Sequence, residues 1–252
     1  MDQLLKQDET YAGDILLEEQ FTAAVVQWYY AHGRAFPWRE TTNPYHLLLA
    51  ETLLRQTQAV RVVEPYLELV GRYPDPWLLA LANIPKLREW FGPLGLVTRA
   101  DRLVKTARVL IEEYEGQMPN DLTALLALPG LGRYSARAIL CLGFGVRVPM
   151  IDEGSGRTLR RVLGREHKGP AFSDRSLMAT VEQIMSQTSA REFNLGLLDI
   201  AAAYCRPRKP DCARCPVRKA CALDKAELAR PEETRGASVF FLHLRRVGFA
   251  NN

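Results

Sequence analysis

Residues 128–161, LPGLGRYSARAILCLGFGVRVPMIDEGSGRTLRR, determine the fold prediction for this 252-residue chain. Leucines recur at helical spacing just before this stretch, which predicts a helix that runs into it. Pro129 ends that helix, because a proline disfavours helical backbone in the residue before it. Gly130 and Gly132 supply backbone freedom for a sharp turn. Small and apolar residues from Ala136 onward predict a second helix, so the stretch predicts a helix–hairpin–helix unit.

The hairpin also predicts a binding site for an anion. The first amides of a helix have no partner within the helix, and here they follow a glycine turn. Those N–H groups and the helix dipole both favour a negative charge. We therefore expect the turn to bind a phosphate group through its four residues, Gly130, Leu131, Gly132 and Arg133.

Asp152 follows the second helix by about a dozen residues, after the apolar segment 146–151. A lone carboxylate that opens a helix is usually an N-cap, since its oxygen accepts hydrogen bonds from the first amides. For Asp152 in isolation the N-cap interpretation is therefore favoured, and a catalytic carboxylate is the alternative.

Composition and charge limit the class of protein. An apolar content of 47% and a charged content of 25% are ordinary for a soluble globular protein. The net charge of +4 permits nucleic acid as a partner without requiring it. No apolar run is long enough for a transmembrane helix, and the polar N-terminus is unlike a secretory signal. We expect an intracellular protein with no membrane partner.

Four of the five cysteines lie within residues 205–221, in the pattern C-x6-C-x2-C-x5-C. In a reducing compartment such a group binds metal more often than it forms disulfides. Four thiolates suit either a tetrahedral zinc ion or an iron–sulfur cube, and the spacing alone slightly favours zinc. The predicted ligands are Cys205, Cys212, Cys215 and Cys221.

Three sets of residues together carry a resemblance to a known family. The hairpin motif LPG-x-G-R-x-S-A with Asp152 twenty residues past its second glycine, followed by Arg157, resembles the helix-hairpin-helix DNA glycosylase superfamily. Phe-Pro-Trp-Arg at 36–39, Pro-Tyr at 44–45 and Glu-Thr-Leu-Leu-Arg-Gln-Thr at 51–57 resemble its adenine-DNA and thymine/uracil-DNA glycosylases. The cysteine pattern resembles the [4Fe-4S] loop of the endonuclease III branch. The resemblance covers roughly residues 20–225 and implies a [4Fe-4S] cofactor.

The resemblance implies an all-α, two-lobed fold, and strand signals are almost absent before residue 239. We expect the flipped base to lie in the groove between the lobes. The predicted parts are a leader (1–17), one lobe (18–43 and 142–225, with the cluster loop 205–221), a helical barrel (44–141, with the hairpin 122–141), and a linker and arm (226–252).

The chemistry of base removal explains the residues that the resemblance singles out. Breaking an N-glycosidic bond develops positive charge on the deoxyribose, which a carboxylate near C1′ stabilises. Asp152 matches that carboxylate. The base must first be flipped out of the duplex, and Glu51 matches a pocket acid that contacts or protonates it. Gln56 matches the side chain that fills the vacated space.

The resemblance also implies the partner and its contacts. We expect a monomer that binds double-stranded DNA with a mispaired or damaged base, and that is cytoplasmic and nucleoid-associated, or nuclear in a eukaryote. The predicted DNA-binding residues are Arg34, Gln56, Gly130, Leu131, Gly132, Arg133 and Arg157.

Tyr134 selects the subgroup. Endonuclease III has a lysine at this position, which attacks C1′ and cleaves the strand through a Schiff base. A tyrosine forms no imine, so we expect a monofunctional enzyme without lysine-based lyase activity. Adenine glycosylases typically have serine here, whereas the thymine/uracil enzymes have tyrosine. The prediction is removal of T or U opposite G, and the alternative is an adenine glycosylase that lacks the 8-oxoguanine-sensing domain.

The segment after Asp152 departs from the family pattern. The family usually has glycine or alanine, then asparagine or histidine, then an apolar residue, but this chain has Glu153-Gly154-Ser155-Gly156. Two glycines in a first helical turn cost roughly 1 kcal/mol each relative to alanine, and Glu153 adds a negative charge. A third hypothesis is therefore a DNA-binding scaffold with weakened catalysis.

Overall fold

The computed structural model describes residues 19–95, 97–166, 169–185 and 190–223. These residues form helices and connecting turns without any strand, which confirms the all-α prediction. The predicted leader, linker and C-terminal arm lie outside the described residues. The helices are α1 (19–32), α2 (Pro37–Glu40), α3 (Pro44–Leu54), α4 (Val63–Arg72), α5 (Pro76–Ala80), α6 (Ile84–Phe91), α7 (Val97–Tyr114), α8 (Leu122–Ala127), α9 (Arg133–Phe144), α10 (Glu153–Val162), α11 (Arg175–Ile184) and α12 (Ala190–Ala203).

Residues with short polar side chains cap the N-termini of several helices. Asn43, Asp121 and Asp174 each lie just before a helix and accept a hydrogen bond from an amide of its first turn. Such caps satisfy amides that have no partner inside the helix. α8 spans only six residues, between its N-cap Asp121 and its C-cap Leu128, and Pro129 follows directly.

The predicted hairpin joins α8 to α9 through residues 128–132. Gly130 has a φ of +86°, a conformation that side chains rarely adopt, so the turn requires glycine there. Gly132 is different, because its φ of −111° is extended backbone that any residue can adopt. The need for glycine at 132 is therefore not conformational.

Around the hairpin, α9 packs on α3, while α7 packs on α5 and α6. A Cβ added at Gly143 of α9 would lie 3.2 Å from Leu47 Cδ1 of α3, so the missing side chain allows this close approach. The predicted domain boundary at residue 142 falls inside α9, which continues to Phe144.

The second group of helices packs through α10 and α12. Phe193 of α12 meets Phe21 of α1 edge to face, with ring centroids 5.8 Å apart. Asn194, fully buried on α12, accepts a hydrogen bond from the Met150 amide at 2.8 Å and donates one to the Val148 carbonyl at 3.0 Å. This amide therefore holds the segment that leads from α9 into α10.

None of the helices in the described part of the chain is long and apolar enough to span a lipid bilayer.

Candidate active site between the helical lobes

A cavity of about 510 Å³ lies where α3 and α9 meet α10 and α12. This volume is in the range of pockets that bind small molecules. Its lining includes all three predicted catalytic residues, together with Arg34, Gly132 and Arg133 from the predicted DNA-binding set. The lining residues are Arg34, Phe36, Trp38, Arg39, Glu51, Leu54, Arg55, Ala59, Gly132, Arg133, Tyr134, Ser135, Leu142, Met150, Asp152, Phe172, Leu195, Leu198 and Ala202.

Glu51 projects from α3 and is only 9% exposed. Burial raises the pKa of its carboxyl from 4.5 to about 7, because the charged form loses its solvation. A hydrogen bond from Ser135 and the charge of Arg55 oppose this rise, whereas the charge of Asp152 adds to it. A large fraction of Glu51 is therefore protonated at neutral pH and can donate a proton.

Tyr134 lies in the first turn of α9 and is partly buried. Burial raises the pKa of its phenol well above the usual range, and the charges of Glu51 and Asp152 raise it further, while Arg39 opposes them. Tyr134 is therefore a neutral hydroxyl group that can donate a hydrogen bond inside the cavity.

Asp152 is the N-cap of α10 and also lines the cavity. Its Oδ1 accepts hydrogen bonds from the Ser155 amide at 2.6 Å and from the Ser155 hydroxyl at 2.7 Å. The Asp152 amide donates in return to Ser155 Oγ at 2.8 Å, which completes a capping box. The capping role therefore leaves the carboxylate at the cavity wall.

The unusual segment after Asp152 has a packing role at several of its positions. Glu153 accepts a hydrogen bond from the Ala171 amide at 3.1 Å through Oε1. A Cβ at Gly156 would lie 2.1 Å from the Ala171 Cβ, so only glycine lets these segments approach. Ser155 is a polar neighbour of Asp152 and hydrogen-bonds its Oδ1 with both its amide and its hydroxyl group. The departure is thus a different packing arrangement around the same carboxylate.

Arg34 lies at the cavity but is held by an acid that the sequence did not single out. Asp199 of α12 is 2% exposed and accepts hydrogen bonds from Arg34 Nε at 2.7 Å and from both terminal nitrogens of Arg39 at 2.8 Å. Burial alone would raise the pKa of Asp199, but the hydrogen bonds from Arg39 and Arg34 outweigh it and lower the pKa. Phe36 packs against both guanidinium groups, at 5.4 Å from its ring centroid. The Arg34 side chain is still 45% exposed.

The hairpin has the features of the predicted phosphate site. Among the described residues, no side chain caps the first turn of α9, so its amides are not covered by a cap. A Cβ at Gly132 would meet nothing within 4 Å, and Arg133 is exposed beside it. Behind the turn, Arg55 donates to the Gly130 carbonyl at 2.9 Å. Leu131 lines a small neighbouring pocket with Arg55.

Gln56 is exposed and has a φ of +61°, which is unusual for a residue with a side chain. It follows the last turn of α3, where Arg99 donates to the carbonyls of Thr52 and Arg55 at 3.0 and 2.7 Å. Such backbone strain persists where surrounding contacts hold it, and it is common at functional sites.

The four predicted cysteine ligands line one pocket between α10 and residues 204–223. Arg161 donates to Cys205 Sγ at 3.3 Å, and Arg157 donates to the Cys205 carbonyl at 2.8 Å. Arg157, predicted to bind DNA, therefore connects α10 to the cysteine loop. Among the described residues, no group of three or more histidine, cysteine, aspartate or glutamate side chains has the arrangement of a site for a metal ion.

Sequence reasoning missed three side chains of this region. Ser135, which hydrogen-bonds Glu51, lies inside the hairpin motif, so the motif itself is a signal that could have identified it. The spacing of Ser155 three residues after an N-cap aspartate also indicates a capping box. Asp199 is an acid in an apolar helix, and nothing in the sequence connects it with Arg34, 165 residues away.

Comparison with known proteins identifies the family. A helix-hairpin-helix motif matches residues 113–142. The thymine/uracil-DNA glycosylase of Methanothermobacter thermautotrophicus is 33% identical over 202 residues, which span 80% of this chain and 91% of that protein. The thymine-DNA glycosylase of Aeropyrum pernix is 36% identical over 81% of this chain and 93% of its own length. An adenine DNA glycosylase of Mycobacterium tuberculosis is 33% identical, but only 64% of its length is covered.

Comparison with solved structures gives the same family. A thermostable thymine-DNA glycosylase superposes with a TM-score of 0.79 at 32% identity, over 83% of this chain and 97% of that one. A trapped endonuclease III–DNA covalent intermediate superposes with a TM-score of 0.70 at 21% identity, over 82% and 95%, which shows a shared fold. The chain therefore belongs to the helix-hairpin-helix DNA glycosylase superfamily, in the branch of endonuclease III and the adenine- and thymine/uracil-DNA glycosylases, and it is a DNA glycosylase.

Proposed function

We propose that this DNA glycosylase is monofunctional and removes thymine or uracil opposite guanine. The observation that carries the proposal is the cavity in which Asp152, Glu51 and Tyr134 come together. A carboxylate that stabilises positive charge and an acid with a raised pKa that donates a proton are groups that hydrolysis of an N-glycosidic bond uses, and the neutral phenol adds a hydrogen-bond donor beside them.

In the proposed reaction the bond between C1′ and N1 of the flipped base breaks, and its electron pair leaves with the base. Asp152 stabilises the positive charge that develops on the sugar and takes a proton from the water that attacks C1′. Glu51 donates a hydrogen bond or its proton to the departing base. Tyr134 is positioned to contact the base as a neutral donor. The products are the free base and a duplex with an abasic sugar.

The absence of a nearby amine supports monofunctional chemistry. Strand cleavage through a Schiff base needs a primary amine that reaches C1′. No lysine is among the described residues that line the cavity, and tyrosine stands at position 134. In this proposal water is therefore the only nucleophile, and the strand stays intact.

Two observations favour a pyrimidine over adenine as the substrate. Tyr134 matches the thymine/uracil pattern rather than the serine of adenine glycosylases. Two relatives that are 33% and 36% identical over 80% and 81% of this chain are also named as thymine/uracil- and thymine-DNA glycosylases.

A cleavage panel tests the proposal. Labelled duplexes with G·T, G·U, A opposite G and A opposite 8-oxoguanine are incubated with the protein and analysed with and without hot alkali. We expect scission of the G·T and G·U duplexes only after alkali, and no covalent product with borohydride, with a bifunctional glycosylase as the positive control. Preferred release of adenine would replace the substrate proposal by the adenine alternative, and scission without alkali would contradict monofunctional chemistry.

We also propose a [4Fe-4S] cluster held by Cys205, Cys212, Cys215 and Cys221. All four line one pocket, which fits a shared cofactor. A single zinc ion would be bound by four sulfurs about 2.3 Å from the metal. A cube instead binds each thiolate to a different iron. When bound, the cluster would neutralise the thiolates and cross-link the loop.

Iron and acid-labile sulfide measured on the purified protein, with its visible spectrum, test this cofactor. We expect about four irons and four sulfides per chain. One zinc per chain without sulfide would contradict the cluster. Cys141 lies apart in the core of α9, so Cys141→Ala serves as the matched control that leaves the iron content unchanged.

A further inference from the structure

Asp152 is held more tightly than an ordinary helix cap. Ser155 is fully buried and contacts Asp152 with both its amide and its hydroxyl group. The usual cap has only the amide hydrogen bond, so the hydroxyl is an additional constraint on this carboxylate.

The direction of the hydroxyl proton follows from the geometry. Because the Asp152 amide donates to Ser155 Oγ at 2.8 Å, the serine oxygen is an acceptor in that contact. Its single proton has two acceptors within reach, Asp152 Oδ1 at 2.7 Å and the Asp152 carbonyl at 3.3 Å. The shorter contact is the stronger one. Oδ1 therefore receives two hydrogen bonds from Ser155.

The second carboxylate oxygen is treated differently. Across the part of the chain that the structure describes, Asp152 Oδ2 accepts no hydrogen bond from protein. Gly154 keeps space beside the carboxylate, since a Cβ there would lie 3.3 Å from Oδ1 and 3.5 Å from the Ala201 Cβ. Oδ1 is thus hydrogen-bonded to the first turn of α10, and Oδ2 is left available to the cavity.

We infer that Ser155 is a positioning residue, whose hydroxyl fixes the rotation of the Asp152 carboxylate so that Oδ2 serves the reacting sugar and water. The inference rests on the proposed catalytic role of Asp152. Rotation of an unrestrained carboxylate would move its oxygens by more than 1 Å, and a displacement of this size can cost about 100-fold in rate. Ser155 itself does not contact the reacting atoms.

Two variants of nearly equal shape isolate the hydroxyl. Ser155→Thr keeps it, and Ser155→Val replaces it by a methyl group. The measurements are the single-turnover rate of base release from a G·U duplex, the Kd for a duplex with a non-cleavable analogue, and the melting temperature. We expect Ser155→Val to be about 10- to 100-fold slower than Ser155→Thr, with Kd values within about two-fold of each other.

Further variants separate positioning from stability. Ser155→Ala adds no bulk to the buried site and should show the same loss of rate with an unchanged Kd. Thr158→Val is the matched control, because Thr158 is a buried hydroxyl on the same helix that bonds the Gly154 carbonyl at 3.1 Å. We expect it to retain the wild-type rate.

The outcomes distinguish this inference from the proposed function. If Asp152→Asn is inactive while Ser155→Val and Ser155→Ala cleave as fast as Ser155→Thr and the wild type, the positioning role is wrong and the function stands. A loss of rate that follows the melting temperature, also seen in Thr158→Val, would likewise overturn it. If Asp152→Asn remains active, the catalytic role of Asp152 itself fails.

Discussion

The polar side chains of the cavity differ in their burial and hydrogen bonding. Glu51 is buried, and burial favours its neutral form although the hydrogen bond from Ser135 opposes this effect. Tyr134 is kept neutral in the same way. Asp152 instead accepts two hydrogen bonds at a helix N-terminus. Environments that treat neighbouring acids differently are typical of active sites that need one proton donor and one carboxylate.

At the residue scale, Glu51→Gln should change the pH dependence of stability. The pKa of Glu51 is raised in the folded protein, so its favourable contribution is complete below pH 4.5 and is lost as the pH rises through about 7. The variant has no such titration. We expect the wild type to lose up to about 3 kcal/mol relative to Glu51→Gln between pH 4 and pH 8.

Urea denaturation of both proteins across this pH range measures the difference in free energy of unfolding. Taking the difference removes the titration of the other groups, provided that they are unaffected. A difference that stays constant with pH would contradict the raised pKa of Glu51.

Gly132→Ala should weaken DNA binding without weakening the fold. The backbone at Gly132 is extended and a Cβ would meet no atom of the described residues within 4 Å, so the melting temperature should change little. The same Cβ would occupy the space in which a phosphate approaches the amides of α9. We expect a Kd at least about ten-fold higher, which corresponds to about 1.4 kcal/mol.

Gly130→Ala is the contrasting variant, because a φ of +86° makes any side chain there strained and the melting temperature should fall. Unchanged binding by Gly132→Ala in a fluorescence-anisotropy titration would mean that the hairpin amides do not bind phosphate.

At the element scale, the segment between α9 and α10 is positioned by one buried amide. Asn194 bonds both Met150 and Val148, and it also contacts Cys141 Sγ at 3.3 Å. Asn194→Ala leaves the buried Met150 N–H and the partly buried Val148 carbonyl without these partners, and each such group costs up to about 1–3 kcal/mol when buried. We expect a destabilisation of about 2–5 kcal/mol and a slower reaction, because this segment leads into Asp152.

Chemical denaturation of Asn194→Ala, with single-turnover kinetics at a temperature where it remains folded, measures both effects. Asn83→Ala provides the control, since Asn83 is an exposed N-cap that accepts a hydrogen bond from the Lys86 amide at 3.0 Å. That loss should be about 1 kcal/mol. Equal destabilisation by the two substitutions would contradict the role of Asn194 as a clamp.

Elements built from local signals were predictable, and those built from distant contacts were not. The hairpin depends on Pro129 and Gly130, which restrict the backbone of their immediate neighbours. The sequence was therefore sufficient to predict it. The charge cluster of Arg34, Arg39 and Asp199 forms only when α12 packs against the N-terminal segment. Its members are far apart in sequence, and no sequence pattern predicts which residue pairs with a lone aspartate in an apolar helix.

At the scale of the whole molecule, the two groups of helices place acidic side chains and part of the predicted DNA-binding hairpin around one cavity. The sequence predicted this groove, but not how the segment after Asp152 would pack. Its two glycines suggested a weakened helix, whereas Gly156 permits contact with Ala171 and Ser155 restrains the carboxylate. Such compensation depends on neighbouring segments, and periodicity in one segment does not reveal it.

The binding of DNA by the whole surface should depend on salt. The exposed Arg133 stands at the hairpin next to the cavity, and a cation that contacts a phosphate releases a counterion. Arg133→Ala should therefore reduce the slope of log Kd against log salt by about 1. Arg72→Ala is the control, because Glu68 already pairs with that arginine at 2.8 Å. An unchanged slope for Arg133→Ala would exclude a phosphate contact there.

The most direct test of the central claim is to measure free base released from a G·U duplex by the wild type and by Asp152→Asn. The substitution keeps a side-chain oxygen that can cap α10, so the fold and the Kd for the duplex should persist. It removes the negative charge, so we expect the release of uracil to fall by at least about 1,000-fold. Release of uracil by Asp152→Asn at a rate close to that of the wild type would contradict the account.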